Sequence, residues 1–149
     1  MTSLPDINTL IYAVDENAKF HGLCAEWLAR ALHGPSDIGF TWHTLAGFVR
    51  ISTHRKIMKI PLRVDEAFNH VDLWLARPPA RILGEGKSHL VNFRRFIETA
   101  GTGGNLVSDA HIAAIAMEHH GEIVSCDTDF AKFPGLHWFN PATGSRSRP

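Results

Sequence analysis

The chain has few of the features that assign a protein to a class at once. Its 149 residues hold two cysteines, too few and too poorly placed for a disulfide framework or a zinc site built from cysteines. No apolar run approaches the roughly 18 residues of a membrane-spanning helix. The N-terminal apolar stretch is interrupted by Pro5, Asp6 and Asn8, so no signal peptide is predicted and a cytoplasmic location is the expectation.

A net charge is also absent. Fifteen basic and fifteen acidic side chains cancel, so the chain is not expected to bind polyanions indiscriminately, and any contact with nucleic acid would need a local basic patch. Ten histidines are present, but none has the HExxH spacing of a zinc protease. With 44% hydrophobic and 20% charged residues, the chain has the composition of a globular protein. Its length is that of one domain.

Short apolar segments alternate with helical patterns along the chain. Strands are predicted over residues 3–6, 37–41, 81–83, 122–126 and 136–139. Helices are predicted over residues 8–13, 21–32, 42–54, 64–76 and 88–100, with a last helix that begins near Ser108 and ends at Gly121. Strands that alternate with helices form parallel sheets covered on both faces, so the prediction is a three-layer α/β/α domain with a short, mainly parallel central sheet. The domain is expected to span residues 1–141, and the Ser/Gly/Pro/Arg-rich residues 142–149 to form a flexible tail.

Carboxylates stand at the ends of these predicted elements. Asp109 follows a glycine-rich turn in the first turn of its helix, where Ser108 has the side chain of an N-cap. Asp6 ends the first strand, and Asp127 and Asp129 follow the fourth. Because parallel sheets bind ligands beyond the carboxyl ends of their strands, these acids are expected to converge at one edge. Clustered carboxylates repel one another unless a cation binds between them.

Four segments, in this order and spacing, resemble the PIN-domain nucleases and, within them, the VapC toxins of bacterial toxin–antitoxin pairs. They read PDINTLIYA (5–13), LAGFVRIST (45–53), GNLVSDAH (104–111) and VSCDTDFAKFPGL (124–136). The resemblance therefore covers nearly the whole chain, from about Leu4 to Pro141. It implies a Mg²⁺-dependent endoribonuclease, with Mn²⁺ as a substitute ion, that pairs as a homodimer, cleaves RNA and is silenced by a VapB-like antitoxin.

The resemblance also implies roles for particular residues. Asp6 and Asp109 match the metal-binding acids of the family, and Asp127 matches the acid that completes the catalytic set. Asp129 and Asn8 are additional candidates, Asp129 also being suited to cap the short turn that follows it. Asn8 stands where a phosphatase of the haloacid dehalogenase type needs a second aspartate, so that rival enzyme class is rejected.

The chain departs from the family in the helix after the second strand, which commonly carries a second acid. Between Gly39 and Lys59 there is no Asp or Glu, and the stretch offers His43, Thr44 and Gly47 instead. Fewer carboxylates compensate less positive charge, so one Mg²⁺ is expected rather than two. The loss keeps an alternative open, that of a catalytically weak PIN module that acts mainly by binding RNA or protein.

The densest basic stretch follows in the same region. Arg50, Arg55, Lys56 and Lys59 form either a solvated helix end or a patch that binds RNA phosphates beside the acidic pocket. The functional interpretation is that these four residues bind RNA.

Overall fold

A six-stranded sheet forms the centre of the fold in residues 1–147, the part of the chain that the computed structural model describes; residues 148 and 149, the end of the predicted tail, lie outside it. The strands are β1 (Ser3–Pro5), β2 (Ile38–Phe40), β3 (Ala80–Ile82), β4 (Glu122–Val124), β5 (His137–Asn140) and β6 (Ser145–Arg146). Their order across the sheet is β3-β2-β1-β4-β5-β6. The first five strands of this order are parallel, and β6 pairs antiparallel with β5.

Helices cover both faces of this sheet. They are α1 (Ile7–Val14), α2 (His21–His33), α3 (Trp42–Ser52), α4 (Val64–Leu75), α5 (His89–Ala100) and α6 (Leu106–Glu118), with a 3₁₀ helix at Thr128–Lys132. Leu4 and Ile123 pack with α5 and α6 in one apolar core, whereas Ile38 and Val124 pack with α1 to α4 in the other. Alternate strand residues thus serve opposite faces, and the predicted three-layer α/β architecture is confirmed. Within residues 1–147 no helix has the length and apolar character needed to cross a membrane.

The strand order brings distant acids together. β1 lies between β2 and β4, so the strand order reverses direction at β1. Parallel sheets bind ligands in the crevice at such a reversal, beyond the carboxyl ends of the strands. Pro5 is in register with Val124, and the Asp6 backbone N–H donates to the Val124 carbonyl at 3.1 Å. Asp6 and the segment after β4 therefore share one edge of the sheet.

The last predicted helix begins earlier than expected. Ser108 was predicted as its N-cap, but α6 starts at Leu106, and its N-cap residue Asn105 makes no side-chain capping bond. The backbone N–H groups of Leu106 and Val107 instead donate to the carbonyls of the preceding glycine turn, and Leu106 is buried. The turn satisfies the first helical donors, so the Ser108 hydroxyl is free for another partner.

The segment predicted as a flexible tail is in part a strand. Gly144 adopts a φ of 72°, a conformation that glycine tolerates, and the turn there lets β6 pair with β5. The Arg146 guanidinium then pairs with the nearly buried Glu122 carboxylate at 2.7 Å, and the Trp138 backbone N–H donates to the Ser147 hydroxyl at 2.7 Å. Composition alone did not reveal this pairing because its partners lie on β4 and β5.

Candidate active site

Asp6 is a buried carboxylate held by hydrogen bonds, with an exposed fraction of only 6%. As the N-cap of α1, its Oδ1 accepts from the Thr9 backbone N–H at 2.9 Å and lies 2.6 Å from the Thr9 hydroxyl. Its Oδ2 accepts from the Ser125 hydroxyl at 2.6 Å. Burial raises the pKa of Asp6, and the hydrogen bonds from Ser125 and Thr9 counteract this rise.

Two hydroxyl groups support Asp6, and that of Ser125 was not predicted in this role. The Thr9 hydroxyl also lies 2.9 Å from the Val124 carbonyl, so it ties Asp6 to the end of β4. The Ser125 hydroxyl in turn accepts from the Asp127 backbone N–H at 2.9 Å. One serine therefore links two predicted site acids, a relation that depends on the pairing of β1 with β4 and has no signal in the spacing.

The other three acids lie close together. One carboxylate oxygen from each of Asp109, Asp127 and Asp129 falls within 4.8 Å of the others. Burial raises the pKa of Asp109 to about 7, and the negative charges of Asp127, Asp6 and Asp129 add to the rise. Asp109 is therefore a carboxylate that its surroundings discourage from ionising.

Asp127 and Asp129 have further contacts that order the segment they share. The Asp127 side chain accepts from the Asp129 backbone N–H at 2.9 Å and so caps the 3₁₀ helix. Asp129 is paired with the Lys132 ammonium at 2.9 Å. Lys132, which the sequence did not single out, therefore places a positive charge at the border of the acid cluster.

The acids open into a cavity of about 250 Å³. Its lining includes Asp6, Asn8, His43, Arg50, Asp109 and Asp127. The same cavity is therefore lined by three of the four predicted acids, by Asn8 and by one of the predicted basic residues, Arg50. The cavity walls come from α1, α3, α6 and the segment after β4, which agrees with the expected position at the edge of the sheet.

The structure separates the basic stretch into two parts. Arg50 lies in the last turn of α3 and faces the cavity. Arg55, Lys56 and Lys59 are exposed in the turns that follow α3 and are not among the residues that line the cavity. Of these four basic residues, only Arg50 lines the cavity that Asp6, Asp109 and Asp127 share.

Histidines occupy the side of the site where the family acid is missing. The His43 Nε2 lies 2.9 Å from the Ser108 hydroxyl, which joins α3 to α6. His111 is not among the residues that line the cavity; its Nδ1 lies 3.1 Å from the His89 Nε2, and its Nε2 lies 3.1 Å from the Glu85 carboxylate. Burial, followed by the neighbouring His89 and His43, lowers the pKa of His111. These contacts cross three helices, so no sequence motif marks them.

The raised pKa of Asp109 predicts how the stability of the metal-free protein depends on pH. Asp109 holds its proton up to about pH 7 in the folded state but loses it near its ordinary value of 3.8 in the unfolded chain. The free energy of unfolding should therefore fall as pH rises from about 4 to about 7. Asp109→Asn should remove this contribution and make the variant more stable than the wild type at about pH 8. Urea unfolding in EDTA at several pH values measures the difference, and parallel curves for the two proteins would contradict the assignment.

Comparisons with known proteins identify the family of the chain. The family model described as PIN domain matches residues 4–136. Ribonuclease VapC37 of Mycobacterium tuberculosis is 40% identical over 136 residues, which cover 91% of this chain and 94% of that protein. Ribonuclease VapC33 of the same species is 36% identical over 93% of this chain and 96% of its own length.

Solved structures show the same fold at low sequence identity. The VapBC-1 structure from nontypeable Haemophilus influenzae has a TM-score of 0.69 at 16% identity and covers 95% of this chain and 99% of its own. The structure of VapBC2 from Rickettsia felis bound to a promoter DNA fragment has a TM-score of 0.65 at 20% identity, with coverages of 94% and 98%. With a matching model over most of its length and full-length relatives above 30% identity, this chain belongs to the PIN-domain family, among the proteins named VapC.

Proposed function

We propose that this chain is a Mg²⁺-dependent endoribonuclease that cleaves RNA phosphodiester bonds as the toxic component of a toxin–antitoxin pair. The observation that carries the proposal is the convergence of Asp6, Asp109 and Asp127 on one cavity, where the pKa of Asp109 is raised to about 7. A divalent cation relieves such repulsion. The names of the VapC relatives, which are ribonucleases, support RNA as the substrate.

The donor set fits Mg²⁺, a hard cation that takes oxygen ligands and is commonly bound through one or two carboxylates. Asp109 and Asp6 would hold the ion, with Asp127 beside them. Bound there, Mg²⁺ would supply an activated water and neutralise charge on the phosphate, and Mn²⁺ accepts similar oxygen ligands. Both oxygens of Asp6, one of the two proposed ligands, already accept hydrogen bonds from Thr9 and Ser125, and Asp129 is paired with Lys132. Few carboxylate oxygens are therefore left without another partner, which supports one bound ion rather than two.

The remaining residues of the cavity would orient the substrate. Arg50 offers a guanidinium on the wall contributed by α3, suited to a phosphate oxygen. Asn8 offers an amide next to Asp6, and His43 is held in place by Ser108. Ser125 fixes the relative positions of Asp6 and Asp127. The acids therefore enter the reaction in a geometry that the protein sets before RNA arrives.

A second candidate function is binding without efficient cleavage. The observation that favours it is the composition of α3, which contributes His43, Thr44 and Arg50 to the cavity but no carboxylate. A module of this kind would hold RNA or a protein partner at the same surface.

Removal of one carboxylate separates the two functions. Asp109→Asn should lower the rate of RNA cleavage by a factor of at least about 10², because a metal ligand and its charge are lost. The measurement is single-turnover cleavage of a labelled RNA with Mg²⁺, with Mn²⁺ and with EDTA. EDTA should abolish cleavage by the unmodified protein.

Asp72→Asn is the matched control, because Asp72 is an exposed aspartate on α4, away from the cavity. It should cleave like the unmodified protein. Cleavage that persists in EDTA, or that Asp109→Asn leaves intact, would refute the metal-dependent mechanism. RNA binding without cleavage under every condition would establish the second candidate.

The basic residues are proposed to bind the RNA backbone, and the main contact is assigned to Arg50 because it lines the cavity that the acids share. Arg50→Ala should weaken RNA binding and reduce the slope of log affinity against log salt by about one unit, because it removes one phosphate contact beside the acids. The triple change of Arg55, Lys56 and Lys59 to Ala tests whether the RNA path continues past α3. The salt titration uses the Asp109→Asn protein, which should not cut the probe. If the triple change leaves this slope unaltered, Arg55, Lys56 and Lys59 do not contact RNA and are ordinary solvent-exposed residues.

An antitoxin partner is proposed from the solved relatives, which are described as VapBC complexes. A VapB-like protein would block the cavity most simply with an Arg or Lys side chain placed against Asp6 and Asp109, where it takes the place of the cation. The complex purified with its partner should therefore lack the nuclease activity of the free chain.

The homodimer is proposed to form through α4 rather than α2. Val64 and Phe68, about one turn apart on α4, are 61% and 51% exposed, whereas Leu23 on α2 is 47% exposed. Phe68 also borders an apolar groove between α3 and α4. Phe68→Asp should convert a particle of about 33 kDa, twice the 16.5 kDa of one chain, into a monomer in light scattering. Leu23→Asp is the control on α2, and a monomeric unmodified protein at high micromolar concentration would refute the proposal.

A further inference from the structure

The two cysteines, 102 residues apart in the chain, meet in the fold. The Cys24 Sγ on α2 lies 3.6 Å from the Cys126 Sγ, which follows β4. Both are free thiols; Cys24 is fully buried and Cys126 is partly exposed. The sequence predicted no disulfide framework, and the fold nevertheless brings the two thiols within contact distance.

Cys126 stands between two residues that shape the acid site. On one side Ser125 donates its hydroxyl to Asp6 at 2.6 Å, and on the other Asp127 donates its backbone N–H to Ser125 at 2.9 Å. We propose that Cys24 and Cys126 are a dithiol modification site, which a small-molecule disulfide converts to a protein disulfide that displaces the Ser125–Asp127 segment. The effect of this step on cleavage rests on the proposed nuclease function.

The chemistry balances as two thiol–disulfide exchanges. The Cys126 sulfur, the accessible one, attacks the small-molecule disulfide, forms a mixed disulfide and releases one small thiol. The Cys24 sulfur then displaces the second small thiol and closes the Cys24–Cys126 bond. The two protons of the protein thiols end on the two released thiols, the protein is oxidised by two electrons and the small-molecule disulfide is reduced. Thiol reductants reverse both steps.

The bond requires movement, because bonded sulfurs stand about 2.0 Å apart. The two sulfurs must therefore approach by roughly 1.5 Å. Cys24 is fixed in a helix, where its N–H donates to the Phe20 carbonyl at 3.0 Å. Cys126 lies outside regular structure, so most of the displacement falls on its segment.

Trp138 can report movement of the segment that contains Ser125, Cys126 and Asp127. The Trp138 indole N–H donates to the Ser125 carbonyl at 2.9 Å, and the Ser125 N–H donates to the Phe139 carbonyl at 3.1 Å. Movement of Ser125 changes the surroundings of the Trp138 ring, so tryptophan fluorescence follows the step without any cleavage assay. Burial raises the pKa of both thiols, which makes exchange slow and calls for long incubation.

The test incubates the full chain with oxidised glutathione as the probe, with and without later dithiothreitol. The folded protein should lose both free thiols and become lighter by two hydrogen atoms, while it still migrates as a single chain on a non-reducing gel. Its fluorescence should change. Its RNA cleavage rate should fall about tenfold to a hundredfold, since a displacement near 1 Å at a catalytic group costs up to about 10² in rate. Dithiothreitol should restore both signals.

Cys126→Ser is the matched control and should keep its cleavage rate and fluorescence in the oxidant. Cys24→Ala should stop at the mixed disulfide and gain the mass of one glutathionyl group, which identifies Cys126 as the thiol that reacts first. Trp138→Phe should remove the fluorescence change but not the thiol loss. Two thiols that persist after long incubation, a disulfide between two chains, or a disulfide that leaves fluorescence and cleavage unchanged would each overturn the proposal. If the reduced protein cleaves no RNA, the nuclease proposal fails separately, and thiol loss with the fluorescence change still decides whether the site exists.

Discussion

The hydrogen bonds to the buried Asp6 carboxylate are the interaction on which the candidate site depends. A carboxylate in an apolar interior costs several kcal/mol unless donors satisfy it, and here Thr9 from α1 and Ser125 from the segment after β4 provide them. Those donors reach Asp6 only because β1 and β4 are neighbours in register. The same bonds therefore fix the pairing of β1 with β4, the start of α1 and the position of Asp127. A shift in one of these three features changes the other two.

A second constraint is the like charge gathered at this edge. The pKa of Asp109 is raised to about 7 because burial and three other carboxylates oppose its ionisation, so ionisation of this group costs stability in the metal-free protein. Lys132 relieves part of this repulsion through Asp129. Under the proposed function, the same repulsion that lowers the stability of the metal-free protein favours binding of the ion.

The loss of an acid from α3 changes the character of the opposite wall. Instead of an acid, α3 presents His43 and Arg50 to the cavity. The carboxylates of Asp6, Asp109 and Asp127 therefore line one part of the cavity, and residues without negative charge line the part that α3 contributes. Such an asymmetric cavity suits a phosphate, which needs a cation on one face and a hydrogen-bond donor on the other. The contact between His43 and Ser108 exists because α6 begins at Leu106, which leaves the serine hydroxyl free of a capping role.

The sequence by itself determined the layered α/β fold, because the alternation of short apolar runs with amphipathic segments is a local property that reports burial directly. It also identified Asp6, Asp109 and Asp127 as candidates, since each stands at a strand end or in the first turn of a helix. The tertiary structure decided which side chains meet: Ser125 and Asp6 at the site, Lys132 and Asp129 at its border, and Cys24 with Cys126 and Arg146 with Glu122 outside it. Lys132 and Asp129 stand three residues apart in one short helix, but the other three contacts join residues far apart in the chain and have no sequence period or motif. They arise from strand order and helix packing, which no local pattern encodes.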